Sequence, residues 1–275
     1  MGEAQVVVLP DRGEVAQDAA GRLVAVLDAA LVRRGEAHLA LTGGSSAVAL
    51  YEALAGGEWR DALDWSLVHL WWGDDRFVPV DHPESNVGLA YRLLLAIGAR
   101  AGESGSGAAG VDVAVGDVPG LQVDVEKVHP FEIDEALSES DAAALVAQRY
   151  AEELERCLPR DEDGMPAFDV FLLGVGGDGH ILSVFPNSAA LEPDAPAVLE
   201  IPAPDHIEPH LPRVTLNPRL LAAARLVLVM VSGEGKAEIV RRVLRGERDP
   251  RRLPAQLADR PNAVWLLDEA AAALL

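Results

Sequence analysis

Short, uniformly apolar runs alternate with longer helical patterns along this chain, and that alternation limits its fold more than any other feature. Residues 5–9, 38–41, 67–72, 168–173, 226–231 and 263–267 read as strands. They are continuous rather than two-sided, the pattern of parallel strands buried on both faces. Residues 14–34, 47–55 and 86–97 carry apolar positions at helical spacing, and a short Ala-rich helix is expected after the last strand. The pattern predicts an α/β fold with an open, mostly parallel sheet and helices on both faces. A length of 275 residues fits a single domain over 1–275. Residues 101–120, rich in Gly, Ser and Ala, read as a loop insertion within it, and 159–166 as a shorter connection.

Charge excludes several partners. Lys and Arg total 23 against 44 Asp and Glu, a net charge of −21. A duplex-binding protein replaces condensed counterions with its own cations, so no nucleic-acid partner is expected. An anionic membrane surface is equally unattractive. One cysteine leaves no internal disulfide and no cysteine-rich zinc site, and Cys157 reads as inert within an amphipathic helix. No apolar run reaches about 18 residues, and the first residues lack the basic start and apolar stretch of a signal peptide. A soluble, cytoplasmic protein is expected.

In an open α/β sheet, ligands bind beyond the carboxyl ends of the strands, so the loops after apolar runs carry the information. The first is Leu-Thr-Gly-Gly-Ser-Ser at 41–46. Gly43 and Gly44 allow close backbone approach, and Ser45 or Ser46 can cap the following helix. Such a turn suits an anionic oxygen, or is a plain strand-to-helix connection. The second, at 71–86, ends a strand in Asp74, Asp75 and Arg76. Arg76 offers a planar fork to phosphate or carboxylate, with the acids orienting it or doing proton chemistry. The bland alternative is a surface ion pair of little energy.

The third loop is Gly-Val-Gly-Gly-Asp-Gly-His at 174–180. Gly174, Gly176 and Gly179 satisfy the dinucleotide fingerprint, and Glu200 stands near the spacing of a ribose-binding acid. An NAD-dependent oxidoreductase is therefore a competitor, although Pro186 interrupts the crossover helix it needs. His180 after the last glycine, with Asp178 two residues before it, offers instead a near-neutral base beside backbone donors. Lys236, after the most apolar strand, either holds a phosphate as a point charge or is a solvated helix lysine. Met230 stands where a Walker A loop needs glycine. His206 and His210 have a ligand spacing but no third ligand near in sequence, so no metal site is expected. No serine-hydrolase elbow is present.

Taken in order, five segments resemble the 6-phosphogluconolactonase family, within the group that includes glucosamine-6-phosphate isomerases and deaminases. They are TGGSSA (42–47), GDDRFVPVDHPESN (73–86), GVGGDGHILSVFP (174–186), PRVTLN (212–217) and SGEGKA (232–237). Departures from the family's pattern are Ala47 for proline, Asp75 for glutamate, Gly177 for proline and Asn217 for threonine. The deaminase branch continues its Gly-His-Ile segment into Phe-Asn-Glu-Pro. This chain has GHILSVFPNS, with no acid before Pro186, and Arg76 where deaminases tend to have an aromatic residue.

The resemblance implies a Rossmann-like single domain that hydrolyses 6-phospho-D-glucono-1,5-lactone in the pentose phosphate pathway. It implies His180 as the base that activates water and Asp178 as its orienting partner. Arg76, Lys236, Gly43, Gly44, Ser45 and Ser46 would hold the 6-phosphate, with Arg213 as a further cation and Asp75 in the same set. No metal or redox cofactor is expected. The partner is a small phosphorylated sugar lactone, and the assembly a monomer or small homo-oligomer. A deaminase, the oxidoreductase and a non-catalytic sugar-phosphate sensor remain the alternatives.

Overall fold

The computed structural model describes residues 4–95 and 120–275. The insertion expected at 101–120 falls, apart from Gly120, outside them.

After β1 (Gln5–Leu9) the chain enters α1 (Arg12–Arg34). Asp11 caps this helix by accepting from the Glu14 amide, which starts it two residues before the apolar pattern alone suggests. Gly35, at φ 78°, ends it by donating to the Leu31 carbonyl. Val15, Ala19, Leu23, Leu27 and Ala30 form its buried stripe. Then come β2 (Ala37–Leu41), α2 (Ser45–Ala55), the single turn α3 (Gly57–Arg60), β3 (Val68–Trp72) and β4 (Asp74–Arg76). The order continues with α4 (Asn86–Leu93), β5 (Val128–His129), the single turn α5 (Ile133–Ala136) and α6 (Ala142–Cys157). The remainder comprises β6 (Val170–Leu173), β7 (Val198–Ile201), β8 (Arg213–Leu216), β9 (Leu226–Val231), α7 (Ala237–Arg245) and β10 (Ala263–Asp268).

Seven strands form one sheet in the order β1-β10-β9-β6-β2-β3-β5, every pair parallel. Trp71 and Trp72 show how both faces are covered. Successive residues of a strand point to opposite faces, yet both indoles are fully buried. Trp71 meets Tyr150 of α6 edge-on at 5.8 Å, whereas Trp72 meets Tyr91 of α4 at 6.1 Å and donates to the Asn86 carbonyl. Helices thus lie on both faces, as the alternation of runs predicts. Among the described residues no helix is long and apolar enough to cross a membrane.

One element goes beyond the expected mostly parallel sheet, and one expectation needs correction. A second sheet, β4-β8-β7, is antiparallel. Its first strand is Asp-Asp-Arg, too short and too polar to stand out from a loop by hydrophobicity. The Ala-rich helix expected after β10 is a set of turns. The Asp268 carboxylate accepts from both the Gly233 and Ala271 amides and ties these turns to the loop after β9.

Candidate active site

Strands β9, β6, β2 and β3 are consecutive neighbours in the parallel sheet, so the loops after them emerge side by side at its carboxyl edge. These loops line one cleft of about 240 Å³, to which β8 adds Arg213 and the segment before it Ile207.

The loop after β2 differs in detail from expectation. The cap of α2 is Gly44, at φ 86°, and no side chain caps the helix. Ser45 and Ser46 are its first two residues rather than caps. The first-turn amides and the positive end of an 11-residue helix therefore face the cleft without a side-chain acceptor of their own. Gly43 is required by close approach, because a methyl there would lie 1.9 Å from Asn86 Oδ1.

The small sheet builds the next wall. Its register sets Arg76 of β4 directly opposite Arg213 of β8. Arg76 is steadied through Nη1, which donates to the carbonyl and carboxylate of Glu84. Arg213 is buried, donates through Nη2 to the Pro209 carbonyl, and lies 5.3 Å over the Phe185 ring. Burial lowers its affinity for a proton, an effect that Arg76 reinforces and Asp74 opposes. The Nε of each arginine is buried without a partner.

The neighbouring acids part company. Asp74 faces the cleft, where its Oδ2 accepts from the Ser183 hydroxyl at 2.6 Å. Asp75 turns the other way and does not line the cleft. Its buried carboxylate accepts from the amides of Arg76, Asn86 and Val87 and from the Ser85 hydroxyl. It fastens the start of α4 to β4. Burial pushes it up to about 6 against the pull of those donors. Placed this way, Asp75 supports the loop and does not reach a ligand. Asn86 is a cleft residue that sequence reasoning missed: its Nδ2 donates to the Asp74 carbonyl at 2.9 Å.

The glycine loop after β6 presents His180. Its Nδ1 is 2.6 Å from Asp178 Oδ1, and its backbone amide donates to the same oxygen at 3.1 Å. Gly176 makes room for the ring, since a methyl there would lie 2.0 Å from His180 Nδ1. The other carboxylate oxygen, Asp178 Oδ2, meets His206 Nε2 at 2.9 Å. Burial disfavours the Asp178 charge, but the hydrogen bonds and charge of His180 and the hydrogen bond of His206 outweigh it. They hold the carboxyl well below the usual carboxylate range. Lys236 reaches the cleft from the loop after β9 and donates from Nζ to the Val175 carbonyl at 2.6 Å. Burial lowers its pKa, with Asp178 opposing.

Of the residues expected from sequence, Gly43, Gly44, Ser45, Ser46, Arg76, Arg213, Lys236 and His180 all line this cleft. Asp178 stands behind His180, and Asp75 lies outside.

The dinucleotide alternative fails on structure. Residues 174–225 contain no α-helix, so the glycine loop leads into no crossover helix. Glu200 is an exposed residue of β7, paired with Val214 in the small sheet. His206 and His210 do not converge on one point: His206 holds Asp178, and His210 Nδ1 binds the Pro204 carbonyl. Among the described residues, Glu36, His38 and His69 bring potential ligand atoms together, near the amino ends of β2 and β3. There the Trp71 indole, which can only donate, bonds His38 Nδ1 at 3.2 Å. Burial and the neighbouring His69 lower His38 to about 3, so the ring is neutral, with its proton on Nε2, the atom a metal would need.

Comparison with known proteins agrees with this geometry. Residues 10–266 match the family model described as glucosamine-6-phosphate isomerases/6-phosphogluconolactonase. A 6-phosphogluconolactonase of Streptomyces coelicolor is 36% identical over 274 residues, covering 98% of this chain and 94% of the relative. One from Mycobacterium tuberculosis is 35% identical, covering 99% and 98%. Among solved structures, a 6-phosphogluconolactonase of Leishmania guyanensis superposes with a TM-score of 0.77 at 29% identity, covering 98% of this chain and 97% of the other. A monomeric glucosamine-6-phosphate deaminase, at a TM-score of 0.73 and 16% identity over 98% of this chain and 100% of the other, shares the fold. The chain belongs to the glucosamine-6-phosphate isomerase/6-phosphogluconolactonase family.

Proposed function

We propose that this chain hydrolyses 6-phospho-D-glucono-1,5-lactone to 6-phospho-D-gluconate, as a cytoplasmic single-domain enzyme of the oxidative pentose phosphate pathway. One observation carries the reading: the cleft that sets Arg76 opposite Arg213 also presents His180, backed by Asp178. Like charges directly opposite on paired strands repel. A bound dianion removes that cost, with Lys236 and the open N-terminus of α2 as further donors. The relatives named as 6-phosphogluconolactonases support the same substrate.

The chemistry needs a base, an orienting group and oxyanion donors. Ionised Asp178 only accepts, so the proton on His180 sits at Nδ1 and the Nε2 lone pair is left for water. Water attacks C1 of the lactone while its proton passes to Nε2. Backbone amides of the 174–177 turn on the same wall, other than that of Gly176, which donates to the His180 carbonyl, would meet the oxyanion. Collapse breaks the bond from C1 to the ring oxygen, which takes the proton from Nε2. The new carboxylic acid then ionises and releases one proton.

Proton release from freshly prepared lactone and ammonia release from glucosamine 6-phosphate, measured side by side, test the proposal. Acid without ammonia is expected. Ammonia at a comparable rate would move the assignment to the deaminase branch, and neither product would remove it. The positioning of His180 has its own test. Gly176→Ala is expected to lower kcat on the order of 10²-fold with KM little changed, because the methyl displaces the imidazole and leaves the phosphate contacts alone. Wild-type kcat in that variant would show that the ring does not need this exact seat.

A further inference from the structure

We infer that His206 is a positioning residue that grips Asp178 from the side opposite His180 and, through that carboxylate, sets the basicity of the His180 imidazole. The inference rests on the hydrolytic reading above and adds a residue to it.

The geometry is that of one carboxylate shared between two imidazoles. Asp178 Oδ1 faces His180 Nδ1 at 2.6 Å, and Asp178 Oδ2 faces His206 Nε2 at 2.9 Å. His206 belongs to the segment joining β7 and β8, far from the glycine loop in sequence, so the bond ties two separate elements together. The Phe185 ring sets their spacing. It is tilted against His180 at 4.8 Å between centroids and meets His206 edge-on at 5.6 Å. The same ring carries the Arg213 guanidinium, so the grip adjoins the phosphate wall. Without His206 only Oδ1 is held, by the ring and the backbone amide of His180, and the carboxylate can still turn about that oxygen. With both oxygens engaged, it presents Oδ1 to His180 in a fixed orientation, and a fixed orienter holds the tautomer that leaves Nε2 unprotonated.

The arrangement also has an electrostatic sign. The His206 side chain is 45% exposed, against 17% for Asp178, so His206 exchanges protons with water freely. The charged groups that touch it are Asp178 from the glycine loop, which also holds His180, and Asp205 from its own segment, where Glu208 and His210 pair with each other. Arg213 approaches through Phe185, and Lys236 acts on Asp178 from the loop after β9. The hydrogen bond to Asp178 raises the pKa of His206, with exposure limiting any opposing burial. Its folded value is thus above the unfolded one, while that of Asp178 is below. The contact is therefore strongest between about pH 4 and 6.5, the unperturbed values of the two groups, and weakens as pH rises through the raised value of His206. Protonated His206 takes part of the Asp178 charge and so lowers the proton affinity of His180. Removing it leaves the whole charge to His180.

The test compares wild type, His206→Ala and His206→Gln. Exposure of the side chain allows the variants to fold, and glutamine keeps a neutral N–H donor for Asp178. For His206→Ala, kcat on the 6-phospholactone is expected to fall about tenfold, the scale of one lost hydrogen bond to a charged group, with KM nearly constant. The acid limb of its kcat/KM profile should move to higher pH, and glutamine should restore most of kcat. Proton NMR titration of the His180 ring in the substrate-free protein should show the same upward move in His206→Ala. An unmoved titration and acid limb would overturn the inference even if kcat fell, because loss of structure alone lowers the rate without moving either. An upward NMR shift in a wild-type protein that does not hydrolyse the lactone would uphold the coupling and remove the hydrolytic reading.

Discussion

Replacing His180 with alanine is expected to lower kcat for 6-phospholactone hydrolysis roughly 10³-fold, within the range of a lost general base, while KM stays close to the wild-type value. The split follows from the layout of the cleft. The His180 imidazole comes from the loop after β6, whereas the cations come from β4, β8 and the loop after β9. Removing the ring leaves those cations, the open helix terminus and the backbone amides in place. The substrate still binds, and its oxyanion still finds donors, so activity above the spontaneous rate persists. Initial rates of acid release at several lactone concentrations, corrected for spontaneous ring opening, check both parameters. An unchanged kcat would take the base role from His180.

Arg76→Met should do the reverse of sparing KM. A guanidinium fork gives a phosphate two charge-assisted hydrogen bonds, each worth about 1.5–3 kcal/mol, so kcat/KM for the phosphorylated lactone is expected to fall about 10³-fold. Glucono-1,5-lactone without the phosphate has nothing for the fork to hold, and its slow turnover should not change. The two substrates together separate phosphate recognition from general damage to the loop. The free protein offers a second readout. Arg76 stands opposite Arg213, so its loss relieves a like-charge contact, and the thermal midpoint should not fall. Such a site is one where stability is given up for binding. A fall in activity equal for both lactones would contradict the assignment of Arg76 to phosphate.

How much of this was legible in the sequence depends on how local each feature is. The strand Leu226–Val231 coincides with its apolar run because a strand buried on both faces needs apolar residues at every position. The glycine loop was legible because the His180 ring leaves no room for a side chain at Gly176, because Gly179 takes a positive φ, and because His180 follows at once. The two acids before Arg76 were not separable as a loop. As a strand they are: residues two apart share a face, so Asp74 goes with Arg76 into the cleft and Asp75 turns away to α4. Reading Asp-Asp-Arg as β4 was the missing step, and hydrophobicity gives no hint of it. The cap of α2 misled for another reason. Serine favours the cap position in general, but here Gly44 adopts a left-handed φ and shifts both serines into the first turn. The contact of His206 with Asp178 had no local signal, since the two lie far apart in sequence and the segment joining β7 and β8 brings them together beside Phe185.

The initial rate of proton release from freshly prepared 6-phospho-D-glucono-1,5-lactone, with the wild-type chain at constant pH and against a protein-free control, tests the central claim most directly. The account predicts release proportional to enzyme concentration and saturating with lactone, far above the spontaneous rate and without added metal or nucleotide. A rate equal to that of buffer alone would contradict it.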